Sequence, residues 1–347
     1  MNEFNKKPKF LTYPADKMEN YLYEYVNSYN GKTSKYIKNY FGWDELGFDS
    51  LKNIYSGKAF RPSICILVCT SFSGTLNMAL PPSISVELVH NFSLIHDDIE
   101  DNDKFRRHKP TLWTIWGIPK AIITGNSILV LGNKVLNNMV KNGSTEKDLF
   151  ISQKILTESY LKMMEGQFLD ISFEKEKNIS LEKYLKMISL KTGALIECSV
   201  KLGAIASRKT VDNNLYNLVS TFGKDIGLLF QIRDDLLGVW GTNRTGKPVG
   251  ADIKRKKKSL PIILSLNSRN KSATENINKI MSKQELEDND VNDVMNIMDE
   301  LKIKNKCEEI SKNYQHNIEK IIEKLPIETN QKKIFNEISE FLISREN

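Results

Sequence analysis

Helix breakers are scarce in this sequence. Only 18 glycines and 10 prolines interrupt 347 residues, and no regular series of short β-branched segments is present, which argues against an all-β chain and favours long helices. Cysteine is scarce too. Cys65, Cys69, Cys198 and Cys307 are the whole set, with neither the spacing of a zinc site nor the density of a disulfide scaffold. Cys65 and Cys69 stand one helical turn apart in an apolar run, which predicts a buried, reduced pair of core residues. No apolar stretch reaches the ~20 residues that a bilayer span needs. The N-terminal MNEFNKKPKFLTYPADK lacks the continuous apolar centre of a signal peptide, so a cytoplasmic protein with no membrane span is expected.

Charge of one sign is missing in bulk as well. The 50 basic and 43 acidic residues leave a net +7, modest for a chain that is 27% charged. Lys254 to Lys258, KRKKK, supplies much of the excess. Alone, that run would read as a nucleic-acid or nuclear-import patch, but it sits between Asp252 and the apolar SLPIILSL, and nucleic acid is not an expected partner. The length allows one large or two ordinary domains. We expect one all-α domain over residues 1–347, a helical bundle around a deep central cavity, with a loose, proline-punctuated arm over 1–15.

What is present concentrates in His90 to Thr111, HNFSLIHDDIEDNDKFRRHKPT. Three carboxylates, Asp97, Asp98 and Asp101, close an apolar run, and Arg106 and Arg107 follow. On a helix Asp97 and Asp101 share a face, and like charges so placed are destabilising unless a cation is shared between them. Magnesium suits such oxygen donors, and because it is usually held by one or two carboxylates plus substrate phosphates, a phosphorylated ligand is implied. Guanidinium forks at Arg106 and Arg107 suit phosphate oxygens. A solvated acidic helix end is the bland reading of one such cluster. A second cluster shifts the balance: Gln231, Asp234 and Asp235 close the apolar run Ile226 to Ile232, and Lys247, Asp252 and Lys257 follow. The two clusters read as two lips of one anion-binding cavity with an apolar interior.

At these residues the chain resembles the trans-type polyprenyl diphosphate synthases, the family of the farnesyl and geranylgeranyl diphosphate synthases. Asp97-Asp98-Ile99-Glu100-Asp101 is similar to its DDxxD motif, and QIRDDLLG, Gln231 to Gly238, to its second region. Gly238 stands where many relatives carry a third aspartate. Gly57-Lys58-Ala59-Phe60-Arg61-Pro62 resembles GGKRxRP, Gly166 to Asp170 resembles GQxxD, and Lys191-Thr192 resembles the family's KT pair. The likeness covers residues 55–261.

The resemblance implies an enzyme that joins isopentenyl diphosphate to an allylic diphosphate. Asp97, Asp98, Asp101, Asp234 and Asp235 would hold magnesium, about three ions per site, with manganese able to substitute. Arg106, Lys191 and Lys247 would contact the allylic diphosphate, with Thr192 beside them. Lys58, Arg61, His90 and Arg107 would hold the second substrate. Gln231, Lys257, Gln167 and Asp170 would line or close the site. A homodimer is implied as well. A terpene cyclase of the same fold is the alternative, but it has no use for a second diphosphate and would tend to lose Lys58, Arg61, His90 or Arg107. A silent partner subunit would lose aspartates or cations from the motifs, and all are kept. Phe92, five positions before Asp97, is the expected floor for the growing prenyl chain, with Ser93, four before, leaving room beside it and Val89 eight before. The twenty-carbon geranylgeranyl product is favoured, farnesyl second and longer chains third.

Overall fold

The computed structural model describes residues 9–43, 59–107, 109–176, 178–208, 212–241 and 249–344. The fold is all-α, as expected. Among the described residues the one exception is a two-stranded antiparallel hairpin, β1 Phe105–Arg106 with β2 Lys109–Pro110. Contacts divide the chain into two compact units, Met1–Glu158 with Cys198–Asn213, and Ser159–Glu197 with Asn214–Asn347.

The first unit contains α1 Lys9–Asn27, α2 Ser34–Phe41, α3 Phe60–Ser71, α4 Leu76–Glu100, the hairpin, α5 Leu112–Trp116, α6 Ile118–Val135 and α7 Asn138–Lys141. Helix α1 takes in part of the expected arm, because Leu11 and Ala15 extend the buried stripe of Met18, Leu22 and Val26. Residues 9–15 are therefore helix and not loose arm. Helix α2 stops at Gly42, whose left-handed φ of 76° lets its N–H and that of Trp43 cap the last carbonyls.

Helix α4 is the core of this unit and is buried on nearly every side from Ala79 to Ile95. It starts at Leu76, with Pro81 and Pro82 inside it. Proline removes an N–H that would have bonded the carbonyl four residues back. For Pro81 that carbonyl is Asn77, and the Asn142 side chain donates to it at 2.5 Å instead. Helix α6 lies close against α4 at Gly132, where Ser85 Oγ donates to the Gly132 carbonyl at 2.7 Å. All four cysteines are buried and free of disulfides, as their spacing predicted.

Helix α8, Glu146–Lys175, runs on into the second unit. It is followed by α9 Leu181–Ile188, a π turn Ser189–Gly193, α10 Ala194–Ala206, which from Cys198 on belongs to the first unit, and then in the second unit by α11 Asn213–Trp240, α12 Ala251–Lys254, α13 Leu260–Leu266, α14 Lys271–Met281, α15 Asp288–Glu300, α16 Ile303–Lys324 and α17 Thr329–Ser344. Ser180 caps α9 as expected, its hydroxyl accepting from the Lys183 N–H at 3.2 Å. Tyr184, Ile232, Leu236, Leu260 and Met298 belong to the apolar core. Asp288 to Asp290 form the first turn of α15, where a Glu287/Asp290 capping box and acidic side chains suit a helix N-terminus. Among the described residues no helix is long and apolar enough to cross a membrane.

Candidate active site

Each unit carries one of the acidic clusters, and each cluster is built by its own local geometry. Helix α4 ends at Glu100, and the chain returns through the hairpin. Thr111 N–H bonds the Lys104 carbonyl at 3.0 Å, while Thr111 Oγ1 and Trp113 Nε1 both donate to the Asp103 carbonyl. This closure swings Arg106 back onto the last turn of α4, where its Nε lies 2.5 Å from Asp98 Oδ1. Asp98 is buried; burial pushes its carboxyl up to about 6, helped by Asp103 and Asp101 and opposed by Arg106. Asp98 is thus engaged in holding an arginine. Asp97 is half-buried and Asp101 exposed, one helical turn apart at the C-terminal end of α4. Negative charge there faces the negative end of the helix dipole. The hairpin turn puts Arg107 in the left-handed region, φ 52°.

One to three turns back along α4 lies a polar strip in an otherwise apolar helix. Arg61 Nη1 approaches His90 Nε2 at 3.2 Å. A guanidinium only donates, so Nε2 accepts and the ring proton sits on Nδ1. Burial, then Arg61, Arg107 and Arg106, holds the His90 pKa well below its ordinary value, so the ring is neutral. Buried Glu87 accepts from Asn91 Nδ2 at 3.1 Å, and Asn91 Oδ1 accepts from Tyr40 at 2.9 Å. Burial raises Glu87 to about 7 against the pull of Arg107 and Asn91. Glu87, Asn91 and Tyr40 had no expected role. A carboxylate inside an apolar run, which must find a partner, was the signal that could have found Glu87. Phe92 is buried and meets His96 edge to face at 4.7 Å. His96 in turn lies over Gly125, where an added Cβ would come 2.6 Å from its Nε2.

In the second unit the central element is the π turn. Such turns shift the helical register by one residue and are frequent at functional sites. Here two consecutive side chains reach two different helices: Lys191 Nζ bonds Asp170 of α8, and Thr192 Oγ1 donates to Gln231 Oε1 of α11 at 2.6 Å. Two glycines admit the widened backbone. A Cβ at Gly166 would fall 2.1 Å from Lys191 N, and one at Gly227 would fall 2.6 Å from Gly193 Cα.

Gln231 then passes the chain of bonds on, its Nε2 donating to Asp235 Oδ1 at 2.9 Å. Asp235 is buried, and its other oxygen accepts from the Tyr184 hydroxyl and from the Leu260 N–H at 2.8 Å. Lys257 Nζ lies 3.5 Å from Asp235 Oδ1 and 3.7 Å from Asp252 Oδ2. Burial pushes the Asp235 carboxyl up, while Lys257 and the Tyr184 hydroxyl favour its ionised form. Burial opposes charge on Lys257, yet Asp235 and Asp252 hold its ammonium protonated. Asp234 is half-buried. The basic run is dispersed: Lys254 pairs with Asp288, Lys256 donates to the Lys283 and Gln284 carbonyls, and Lys257 turns to the acidic cluster.

Lys58 and Lys247 lie outside the described residues. The other expected residues fall into two classes. Asp98 and Asp235 are buried with protein donors on their oxygens, whereas Asp97, Asp101 and Asp234 reach solvent. Among the described residues no three His, Cys, Asp or Glu side chains form a ready cage for a metal ion. The hard oxygen pair of Asp97 and Asp101 nevertheless fits magnesium, whose shell waters and phosphates commonly complete.

Arg106 held on buried Asp98, Lys191 paired with Asp170, and an acidic cluster near the end of each of two long helices are the geometry of an all-α protein with two charged sites. The chain belongs to the polyprenyl synthetase family, whose family model matches residues 48–298. It is 38% identical over 221 residues to the geranylgeranyl diphosphate synthase of Mycobacterium tuberculosis, a match covering 63% of this chain and 61% of that protein. It is 36% identical over 228 residues to the (2E,6E)-farnesyl diphosphate synthase of Mycobacterium bovis, covering 65% and 61%. The crystal structure of polyprenyl synthetase from Streptomyces coelicolor superposes with a TM-score of 0.86 at 26% identity, over 96% of this chain and 98% of that one.

Proposed function

We propose that this protein is a magnesium-dependent trans-prenyltransferase that condenses isopentenyl diphosphate with an allylic diphosphate to give a short-chain prenyl diphosphate. The observation that carries the reading is the end of α4. There Asp97 and Asp101, one turn apart at the negative end of a helix dipole, present hard oxygen donors beside Arg106, and a cation shared between them would offset their like-charge repulsion. Magnesium, when bound, would neutralise charge growing on the departing diphosphate. Asp97 and Asp101 would hold it at the first cluster, and Asp234 would hold it at the second. Arg106, fixed by Asp98, and Lys191, fixed by Asp170, bind diphosphate oxygens with little reorganisation, which is where preorganised cations gain their effect. Lys247 joins them by its place in the motif. Arg61, neutral His90 and Arg107 hold the second diphosphate, together with Lys58. Incubation with isopentenyl diphosphate and each allylic starter, with and without magnesium, tests the reading. Absence of any lengthened prenyl product would refute it.

The product we favour is geranylgeranyl diphosphate. Relatives named for geranylgeranyl and for farnesyl diphosphate match almost equally, so the preference rests on Phe92. A ring buried against His96 is a fixed obstacle, whereas half-buried Ser93 leaves space beside it. Phe92→Ala should therefore shift the dephosphorylated alcohols toward longer chains. An unchanged length distribution would place the floor elsewhere without touching the enzyme class.

We also propose a homodimer. Helix α6 exposes Ile122 (40%), Ile123 (55%) and Val130 (63%), and α8 exposes Phe150, Leu161 and Phe168. Apolar side chains so exposed along α6 favour an interaction surface there, and a second copy of the chain is the occupant we assign. Light scattering should give about twice the chain mass of 39.8 kDa. A monomer mass at micromolar concentration would exclude it.

A further inference from the structure

The two acidic clusters are not equivalent, and the difference points to a residue that neither motif contains. In the first, Asp97 is followed four positions later by Asp101. In the second, the position four after Asp234 is Gly238, so the matching carboxylate is missing from the helix. The space it would use is filled. A Cβ built on Gly238 would fall 2.1 Å from Asp252 Oδ2, 2.3 Å from its Cγ and 2.9 Å from its Oδ1, so the Asp252 carboxylate lies against the bare Cα of residue 238.

We propose that Asp252 is the third carboxylate of the second cluster, delivered from α12 into the place of the absent side chain at Gly238, and that it positions the Lys257 ammonium. The inference rests on the reading above, in which Lys257 lines the diphosphate site.

The local backbone is built for this delivery. Gly250, with φ 74°, donates its N–H to the Val239 carbonyl at 3.0 Å and so brings the start of α12 back to the end of α11. Lys256, with φ 55°, ends the short helix, and the Lys257 N–H returns to the Asp252 carbonyl at 2.9 Å. Both ends of Lys257 are thereby referred to Asp252: its amide to the backbone oxygen, and its ammonium to Oδ2 at 3.7 Å. Asp252 is 4% exposed, and its Oδ2 has no hydrogen-bond donor among the described residues. Its charge is balanced by an ammonium that it shares with Asp235. Asp235 has three further donors, Gln231, Tyr184 and the Leu260 amide, and would keep its place without Lys257. Asp252 is therefore the carboxylate whose loss would let the ammonium drift to one side.

The test uses the full chain and two readouts, steady-state turnover and calorimetric binding of inorganic diphosphate with magnesium. Asp252→Asn, which keeps shape and removes charge, should weaken diphosphate binding and lower kcat/KM by roughly ten- to a hundredfold, the usual scale for residues that orient a ligand-binding group. Gly238→Ala, whose methyl would displace the carboxylate, should do the same. The reciprocal double variant Gly238→Asp/Asp252→Gly should recover most of what Asp252→Gly loses. Lys257→Gln/Asp252→Asn should be no weaker than Lys257→Gln alone, because the two residues act through one another. Wild-type behaviour in Asp252→Asn, no recovery in the reciprocal variant, or additive losses in the pair would each overturn the proposal. Should Asp252→Asn fail to fold, the charge-balanced pair against Lys257→Gln decides it. A wild type that binds diphosphate through Lys257 yet makes no prenyl product would remove the function proposed above and leave this inference standing.

Discussion

Asp97→Ala and Asp234→Ala should each lower kcat by about a thousandfold or more, with the fold intact. The expectation follows from where these carboxylates sit. Both are half-buried on helices whose remaining turns are locked in the core, α4 by Ile84, Leu88 and Ile95 and α11 by Ile232 and Leu236, so truncation at the surface end removes charge without loosening the helix. Removing a preorganised electrostatic group that acts on charge developing in a transition state typically costs a hundred- to a thousandfold, and loss of a cation's anchor adds to this. Because the stabilised charge belongs to the leaving diphosphate, the loss should fall on kcat more than on the KM for isopentenyl diphosphate. Excess chelator should abolish wild-type activity. Either variant at near-wild-type turnover, or full activity in chelator, would refute the metal role. Asp98→Ala and Asp235→Ala should behave differently, because the first takes the carboxylate from half-buried Arg106 and the second leaves the buried Tyr184 hydroxyl and Leu260 N–H without their acceptor. Loss of thermal stability should accompany their loss of rate.

The sequence made the helices and both acidic clusters legible, because apolar periodicity and a charge where none is tolerated are local signals. The Asp97/Asp101 spacing needed only helical geometry, and Ser180 was readable as a cap. Long-range compensation was not readable. Pro81 and Pro82 look like a helix boundary until the Asn142 side chain, sixty-five residues away in sequence, is seen donating to the Asn77 carbonyl. The division of five aspartates into solvent-reaching and buried ones was equally hidden, since Asp97 and Asp98 are neighbours in sequence and differ only in which side of α4 they take. Asp252 was visible merely as a residue after the motif, because its relation to Gly238 exists only when α12 folds back. The π turn has no signature at all in the string SLKTG. The room for it comes from two glycines, Gly166 and Gly227, on two other helices.

Gly166→Ala should therefore be the most damaging change outside the charged residues. The added methyl would meet Lys191 N at 2.1 Å, Lys191 Cα at 2.6 Å and the Leu190 carbonyl carbon at 2.7 Å, and these are backbone atoms of a turn already held from the far side by Gly227. No rotamer change relieves such a contact, so the turn or α8 must move. Overpacking of this kind costs about 1–3 kcal/mol. Thermal unfolding should show that loss. The functional cost should be larger than the stability cost. A shift of even an ångström at Lys191 breaks its pairing with Asp170 and pulls Thr192 from Gln231, and misplacement on that scale can lower turnover about a hundredfold. Measured at a temperature where the variant is fully folded, kcat should approach that of Lys191→Ala, and combining the two substitutions should add little. A Gly166→Ala protein that loses stability but keeps its turnover would show that the π turn serves packing and does not aim Lys191.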